Sequence, residues 1–343
     1  MDVFRQRRGH LATVLTVVTA AALGLSACGS NSGSSGSGSG SKQVNVVGFS
    51  VIKAAYTQLG DGFDATAAGK GVTFNGSYGA SGAQARAVVA GQKADVVAFS
   101  LAPDMKTVAE AGKVDPNWAS GPTKGIASSS VVAIAFRKGN PKHITGWNDI
   151  IKPGVGIVTP DPGTSGAAKW NLLAAYSSAA GANTDEAAGK AYLTKFISNV
   201  VSWNDSGRTA TDAFSKGTGD VLISYENEAI AARAAGVPLD YIIPDTSVLI
   251  QNPAAVTKTA PPAAAAFLSY VESPAGQKIL ASNGFRPVDG SAATDVKGAN
   301  DPANPFPTVK NLITIDDLGG WSTVNTKFFD KVNGIVTLLR KEG

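Results

Sequence analysis

The stretch Thr159-Pro160-Asp161-Pro162-Gly163-Thr164-Ser165-Gly166-Ala167-Ala168-Lys169-Trp170-Asn171 reads as the end of a strand running into the start of a helix. The mostly apolar run Val155 to Val158 precedes it, and Leu172, Leu173 and Tyr176 follow at helical spacing. Ser165 therefore falls at the N-cap or in the first turn, where backbone N–H groups lack an intrahelical partner. A second copy of the device, Ser81-Gly82-Ala83, follows Val72-Thr73-Phe74 and Gly79-Ala80. Such a helix start suits an anion: glycine admits close approach, serine adds a hydroxyl, and the helix dipole contributes about 0.3 to 1 kcal/mol, up to about 2 where partly buried. Either copy alone reads more simply as an ordinary N-cap. Two in one chain make a ligand site and a pair of ordinary N-caps equal readings.

Outward from these copies the chain alternates strands with helices. Gln43 to Phe49 is a strand ended by Ser50, a third polar residue at a strand-to-helix junction, with Ala54, Ala55, Tyr56 and Leu59 beyond it. Strands at Asp95 to Phe99, Ser130 to Phe136 and Val221 to Tyr225 alternate with helices at Ala83 to Ala90, Met105 to Ala111 and Ala187 to Val200. The pattern predicts an α/β fold of mainly parallel sheets flanked by helices, in which ligands collect at the carboxyl ends of strands. Thr246 to Val256 reads as a segment returning the chain to the first half, followed by helices at Ala263 to Val271 and Pro274 to Leu280. Trp203 to Thr209, polar and glycine-containing, reads as a solvated turn.

At 343 residues, 43% hydrophobic and 16% charged, the chain can bury a large core and form two lobes. Residues 1–27 are set apart: Arg5, Arg7 and Arg8 lead into an apolar run from Leu11 to Leu25, ending at Leu25-Ser26-Ala27-Cys28. This resembles a bacterial lipoprotein signal, which implies lipidation of Cys28, the only cysteine, and a protein tethered outside the cytoplasmic membrane. Residues 28–42 then form the lipidated cysteine and a Gly/Ser tether with no apolar residue to bury. Loss of Arg5, Arg7, Arg8 and Asp2 with the leader brings the net charge from +4 to +2, with no basic cluster of the kind a nucleic-acid binder needs.

Seven motifs carry a closer resemblance. They are Ser77-Tyr-Gly-Ala-Ser81-Gly-Ala-Gln84, Ala94-Asp-Val-Val97, Arg137-Lys-Gly-Asn-Pro-Lys-His143-Ile-Thr-Gly-Trp147, Thr164 to Asn171, Gly219-Asp-Val-Leu-Ile-Ser-Tyr225-Glu-Asn-Glu-Ala229, Ser273-Pro-Ala-Gly-Gln277 and Leu318-Gly-Gly-Trp321. With them the chain resembles the sulfate-binding proteins of ABC importers, two-lobed periplasmic binding proteins of type II, from about Val44 to Asp330. The resemblance implies two crossover strands near residues 137 and 248. Lobe one would comprise 43–137 with 249–335, and lobe two 138–248. It further implies an oxyanion held between the lobes by backbone N–H groups and hydroxyls, with no cation in contact. Carried over by position, the binding residues are Ser50, Ser81, Ser165, Gly166, Ala167, Gly207 and Tyr225, with Arg208 behind the Gly207 turn. Two positions depart from the family pattern: Ser50 stands where an aspartate is usual, and Tyr225 where a tryptophan is usual. The partners implied are sulfate and the permease subunits of the importer. The membrane is met only through the lipid, and a monomer and no cofactor are expected.

A secreted serine hydrolase is the rival of another class. Neither Ser81 nor Ser165 sits in a Gly-x-Ser-x-Gly elbow, and beyond the leader the chain has one histidine, His143, in a turn-like Gly-Asn-Pro-Lys-His stretch. One histidine and no second thiol also leave little for a metal, so no metal site and no catalytic residue are expected. Thiosulfate or molybdate receptors, and a lipoprotein that only contacts other proteins, remain open readings.

Overall fold

The structure, a computed structural model, describes residues 42–342; the leader, Cys28 and nearly all of the Gly/Ser tether lie outside the described residues. The first half runs β1 (Gln43–Phe49), a 3-10 turn (Ser50–Ile52), α1 (Lys53–Asp64), β2 (Thr73–Gly79), α2 (Ser81–Val89), β3 (Val96–Ala98), α3 (Ala102–Glu110) and β4 (Ile126–Arg137). The second runs α4 (Trp147–Ile150), β5 (Ile157–Pro160), α5 (Gly166–Ala180), α6 (Glu186–Ser198), β6 (Val200–Asn204), α7 (Gly207–Ser215), β7 (Val221–Tyr225), α8 (Glu226–Ala234) and β8 (Leu239–Ile242). The return path is β9 (Thr246–Val256), α9 (Pro262–Glu272), α10 (Pro274–Ser282), β10 (Asn311–Ile313), α11 (Gly320–Phe329) and α12 (Ile335–Glu342).

The strand order is β2-β1-β3-β9-β4-β7-β5-β6, with β10 beside β9 and β8 beside β4. Two parallel groups sit at the ends, β2-β1-β3 and β6-β5-β7. Between them β4 and β9 run antiparallel to each other, β9 antiparallel to β3 and parallel to β10, and β4 antiparallel to β7 and β8. The sheet is therefore mixed: the expected parallel pairing holds within each end group, and the two long strands joining them are antiparallel. Each long strand divides its partners. Residues 126–131 of β4 pair with β9 and residues 132–137 with β7 and β8. Strand β9 pairs with β10 at its start and with β3 at its end.

Chemistry explains the layering. Six of the seven residues of β1 are buried, as its near-continuous apolar run requires of a strand covered on both faces. Twelve of the fifteen residues of α5 are buried, so it is a central helix rather than an amphipathic one. Its Trp170 packs edge-on against Trp321 with ring centroids 4.8 Å apart, and Tyr176 does the same with Phe328 at 4.7 Å, which seats α11 on α5. At the other end Phe74 and Phe63 meet Phe267 at 4.6 and 5.6 Å, joining β2, α1 and α9. Of these rings Trp170, Tyr176, Phe328, Phe63 and Phe267 are buried, and each contributes about 1.5 to 3 kcal/mol by burial alone.

One segment departs from the sequence reading. Trp203 to Thr209 is no solvated turn: β6 ends at Asn204 and α7 begins at Gly207. Ser206 caps that helix by accepting from the Thr209 N–H, and the Thr209 hydroxyl accepts from the Ser206 N–H in return. Ala210 and Phe214, four apart, are both buried and supply the helical face.

Candidate functional site

Six strands end at one place, and each hands over a polar or small residue there. Strand β1 leads to Ser50, β2 to Ser81, β3 to Ser100, β5 to Ser165, β6 to Gly207, and β7 ends on Tyr225 itself. All are carboxyl ends of strands, where α/β sheets gather ligands. Their convergence is measurable at the glycines. A Cβ on Gly166 would lie 2.6 Å from Ser100 Oγ and 2.7 Å from Leu101 Cδ2, while one on Gly207 would lie 3.0 Å from Val51 Cγ2 and 3.5 Å from Ala167 Cβ. One on Gly82 would lie 3.3 Å from the Thr164 carbonyl. The starts of α2, α5 and α7 and the Ser50 turn therefore face a common point, and their unpaired N–H groups give it a positive potential without any formal charge.

The two Ser-Gly-Ala copies differ in use. Ser165 is the N-cap of α5, with extended backbone (φ −107°, ψ 126°), and its hydroxyl makes no cap bond to its own helix. The Asp161 carbonyl holds this loop by accepting from the Ser165 and Thr164 N–H groups at 2.9 and 3.3 Å. The Asp161 carboxylate accepts from Arg340 of α12 at 2.6 Å, and that guanidinium lies over the Trp203 ring at 4.3 Å. Ser81, in contrast, is the first residue inside α2. Its hydroxyl donates to Asp104 Oδ2 at 2.5 Å and accepts from the Ser100 N–H at 2.9 Å. Its oxygen is thus committed within the protein, to Asp104 and to the Ser100 N–H. Burial pushes the Asp104 carboxyl above its ordinary range, against the opposing pull of the Ser81 hydroxyl, Lys169 and Arg86.

Arg208, directly after Gly207, donates to Glu228 Oε1 at 2.7 Å. Glu228 also accepts from Thr211 at 2.9 Å. Burial raises the Glu228 carboxyl, and Arg208 and Thr211 counter it. The Arg208 guanidinium is thus paired with Glu228 of α8. Tyr225 is fully buried, with Oη 2.6 Å from Ser100 Oγ, and burial raises its phenol far above the usual range. Ser100 was not singled out from the sequence. A serine in Ala98-Phe99-Ser100-Leu101 carries no helix-start signal, and only the ends of the other strands bring it into the site.

Among the described residues no cluster of His, Cys, Asp or Glu is placed to hold a metal ion. The site can fix a small anion of many acceptors by dense neutral donors.

The profile of one family, described as Bacterial extracellular solute-binding protein, matches residues 44–286. The chain belongs to this family. Among its relatives, the sulfate-binding protein of Synechococcus elongatus is 39% identical over 336 residues, covering 94% of this chain and 94% of the relative. The sulfate-binding protein of Escherichia coli is 36% identical over 298 residues, covering 82% and 88%. Among solved structures, the sulfate-binding protein SubI from Mycobacterium tuberculosis superposes with a TM-score of 0.79 at 42% identity, covering 84% of this chain and 99% of that one. Solute-binding proteins of this family are transport components outside the cytoplasmic membrane, and the fold described above is theirs: two α/β halves joined by a pair of long strands.

Proposed function

We propose that this solute-binding protein captures sulfate between its two halves and delivers it to the permease of an ABC importer. One observation carries the reading: three helix starts and the Ser50 turn converge on one point, while the arginine beside them is spent on Glu228. Taking a dianion out of water costs many kcal/mol, and only dense, fixed donors offset it. Each hydrogen bond to a charged group contributes about 1.5 to 3 kcal/mol net, so five to seven suffice for a micromolar or tighter complex, roughly 8 kcal/mol, after association costs. The donors proposed are the N–H groups of Ser50, Ser81, Gly166, Ala167 and Gly207, the Ser165 hydroxyl and the Tyr225 phenol. Arg208 stiffens the α7 start without touching the anion.

A site of donors selects a fully deprotonated dianion over monohydrogen phosphate, whose proton needs an acceptor. Calorimetric titration of the chain with sulfate, thiosulfate, molybdate and phosphate at neutral pH is expected to give the tightest binding with sulfate and the weakest with phosphate. Phosphate binding as tight as sulfate would overturn the donor-only reading. Tyr225 favours a second reading, a receptor for thiosulfate or molybdate, because a phenol presents its proton at a different distance and angle from an indole. A molybdate or thiosulfate affinity above that for sulfate would establish it.

The lobes proposed are 43–137 with 249–335 and 138–248, hinged where β4 and β9 pass between the parallel groups. An anion touching both lobes biases the closed form because only that form makes all its contacts. The reading also includes a monomeric protein anchored through lipid on Cys28, binding its ligand without chemistry on it. Cys28→Ala is expected to move the protein from the detergent phase to the aqueous phase in detergent phase partitioning; equal partitioning of both forms would remove the anchor.

A further inference from the structure

Ser100 is 1% exposed, and each of its polar atoms is engaged by a different part of the chain. Its N–H donates to Ser81 Oγ of α2 at 2.9 Å. Its carbonyl accepts from the Trp170 indole of α5 and from the Asn252 amide of β9, both at 2.9 Å. Its hydroxyl lies 2.6 Å from the phenol of Tyr225 at the end of β7. The space a Gly166 Cβ would need is filled by this hydroxyl, at 2.6 Å. Ser100 therefore touches three of the groups that the proposed site uses, Ser81, Gly166 and Tyr225.

The proton count of the hydroxyl pair decides what it can do. Two O–H groups 2.6 Å apart share one hydrogen bond, which uses one proton whichever oxygen donates. The other proton remains to be donated outward. The Asn252 amide is turned elsewhere: its Nδ2 donates to the Ser100 carbonyl at 2.9 Å and its Oδ1 accepts from Ser128 Oγ at 3.3 Å. A sulfate-like dianion, with acceptor atoms only, is a partner for the surplus proton.

We infer that Ser100 is a further anion-recognition residue, acting with Tyr225 as a single two-hydroxyl donor in which each oxygen orients the proton of the other. The inference rests on the oxyanion reading of the site. It explains how a tyrosine serves at this position: an isolated phenol O–H rotates, whereas one paired with Ser100 has that rotation restricted. Both hydroxyls act on one hydrogen bond to the ligand, so their losses are not independent.

A double-mutant cycle on the full chain tests this, with sulfate titrations of wild type, Ser100→Ala, Tyr225→Phe and the double variant, and a thermal melt of each without ligand. Each single variant is expected to weaken sulfate binding about tenfold, and the double variant no more than Tyr225→Phe alone. A purely structural role for Ser100 predicts instead losses that multiply to about a hundredfold, or a lowered melting temperature with sulfate affinity intact; either result overturns the inference. Tyr225→Phe removes a single oxygen, so it decides the matter even if Ser100→Ala does not fold: unchanged sulfate affinity in that variant overturns the shared donor. Wild-type protein that binds none of the oxyanions overturns the reading of the site itself, and the inference with it. Tight wild-type binding with a multiplicative cycle overturns only the role of Ser100.

Discussion

Gly166→Ala is expected to weaken oxyanion binding by about a hundredfold while leaving the ligand-free protein as stable as before or slightly more so. The new methyl would lie 2.6 Å from Ser100 Oγ, 2.8 Å from Ser100 Cβ and 2.7 Å from Leu101 Cδ2, all inside the closest separations such atoms tolerate. Gly166 opens α5, and Ser100 and Leu101 follow β3. The clash therefore arises only where these two starts are pressed together, in the arrangement that encloses a ligand. Overpacking of this kind costs about 1 to 3 kcal/mol, and a displaced Gly166 N–H removes a charge-assisted hydrogen bond worth about 1.5 to 3 more. The effects overlap, since one movement relieves the first and causes the second, so about 3 kcal/mol is the expected total, near two decades in affinity. If the two proposed lobes part without ligand, the methyl would meet water there, and alanine exceeds glycine in helix propensity by about 1 kcal/mol. Calorimetric titration with melts of the free protein checks both halves. Wild-type affinity in Gly166→Ala would mean that these two segments do not close on the ligand.

Arg286→Ala is expected to produce the largest loss of stability. Glu226, first residue of α8, has no exposed side-chain surface and accepts from Arg286 Nε at 2.6 Å and Nη2 at 3.0 Å. Arg286 also donates to the Pro307 carbonyl at 3.0 Å, and its backbone bridges to Ser129 of β4. Removing the guanidinium strands a buried carboxylate, which costs about 3 to 5 kcal/mol and lowers the melting temperature by roughly 10 °C. The pH dependence has a definite sign. Burial already raises the Glu226 carboxyl against the pull of Arg286, and without the arginine it rises further. A group whose folded pKa is raised has its favourable state below the unfolded pKa and loses it as pH climbs through the folded value. The deficit of Arg286→Ala therefore shrinks as pH falls below neutrality toward the carboxylate range, and Glu226→Gln in the same chain recovers part of it. Denaturant melts of the wild type and the two variants at neutral and mildly acidic pH measure this, and a deficit that does not change with pH would assign the loss to packing.

Much of this architecture was legible in local pattern. The bounds of β1, β7 and β9 coincide with apolar runs read from the chain, and Ser165 stands at the N-cap that the spacing of Leu172, Leu173 and Tyr176 demanded. Periodicity and caps are properties of neighbouring residues, so a single chain displays them. Even α7, read as a turn, carried its signal in the pair Ala210 and Phe214 behind Ser206, masked because the polar Asn204 to Thr209 precedes so short an apolar face.

The sequence by itself thus determined which residues stand at the ends of strands and which helices begin there. Tertiary structure alone decided how those ends are used. Ser81 and Ser165 share the tripeptide Ser-Gly-Ala, yet one hydroxyl is committed to Asp104 and the Ser100 N–H while the other makes no bond to its own helix. Arg208 lies beside a site glycine and gives its charge to Glu228. Ser100, unremarkable in the chain, meets Trp170, Tyr225 and Asn252 across the fold. The physical reason is the same in each case. A hydroxyl or guanidinium can turn toward any partner within about 3 Å, and which partner comes within that distance is set by strands far apart in sequence that the fold brings side by side.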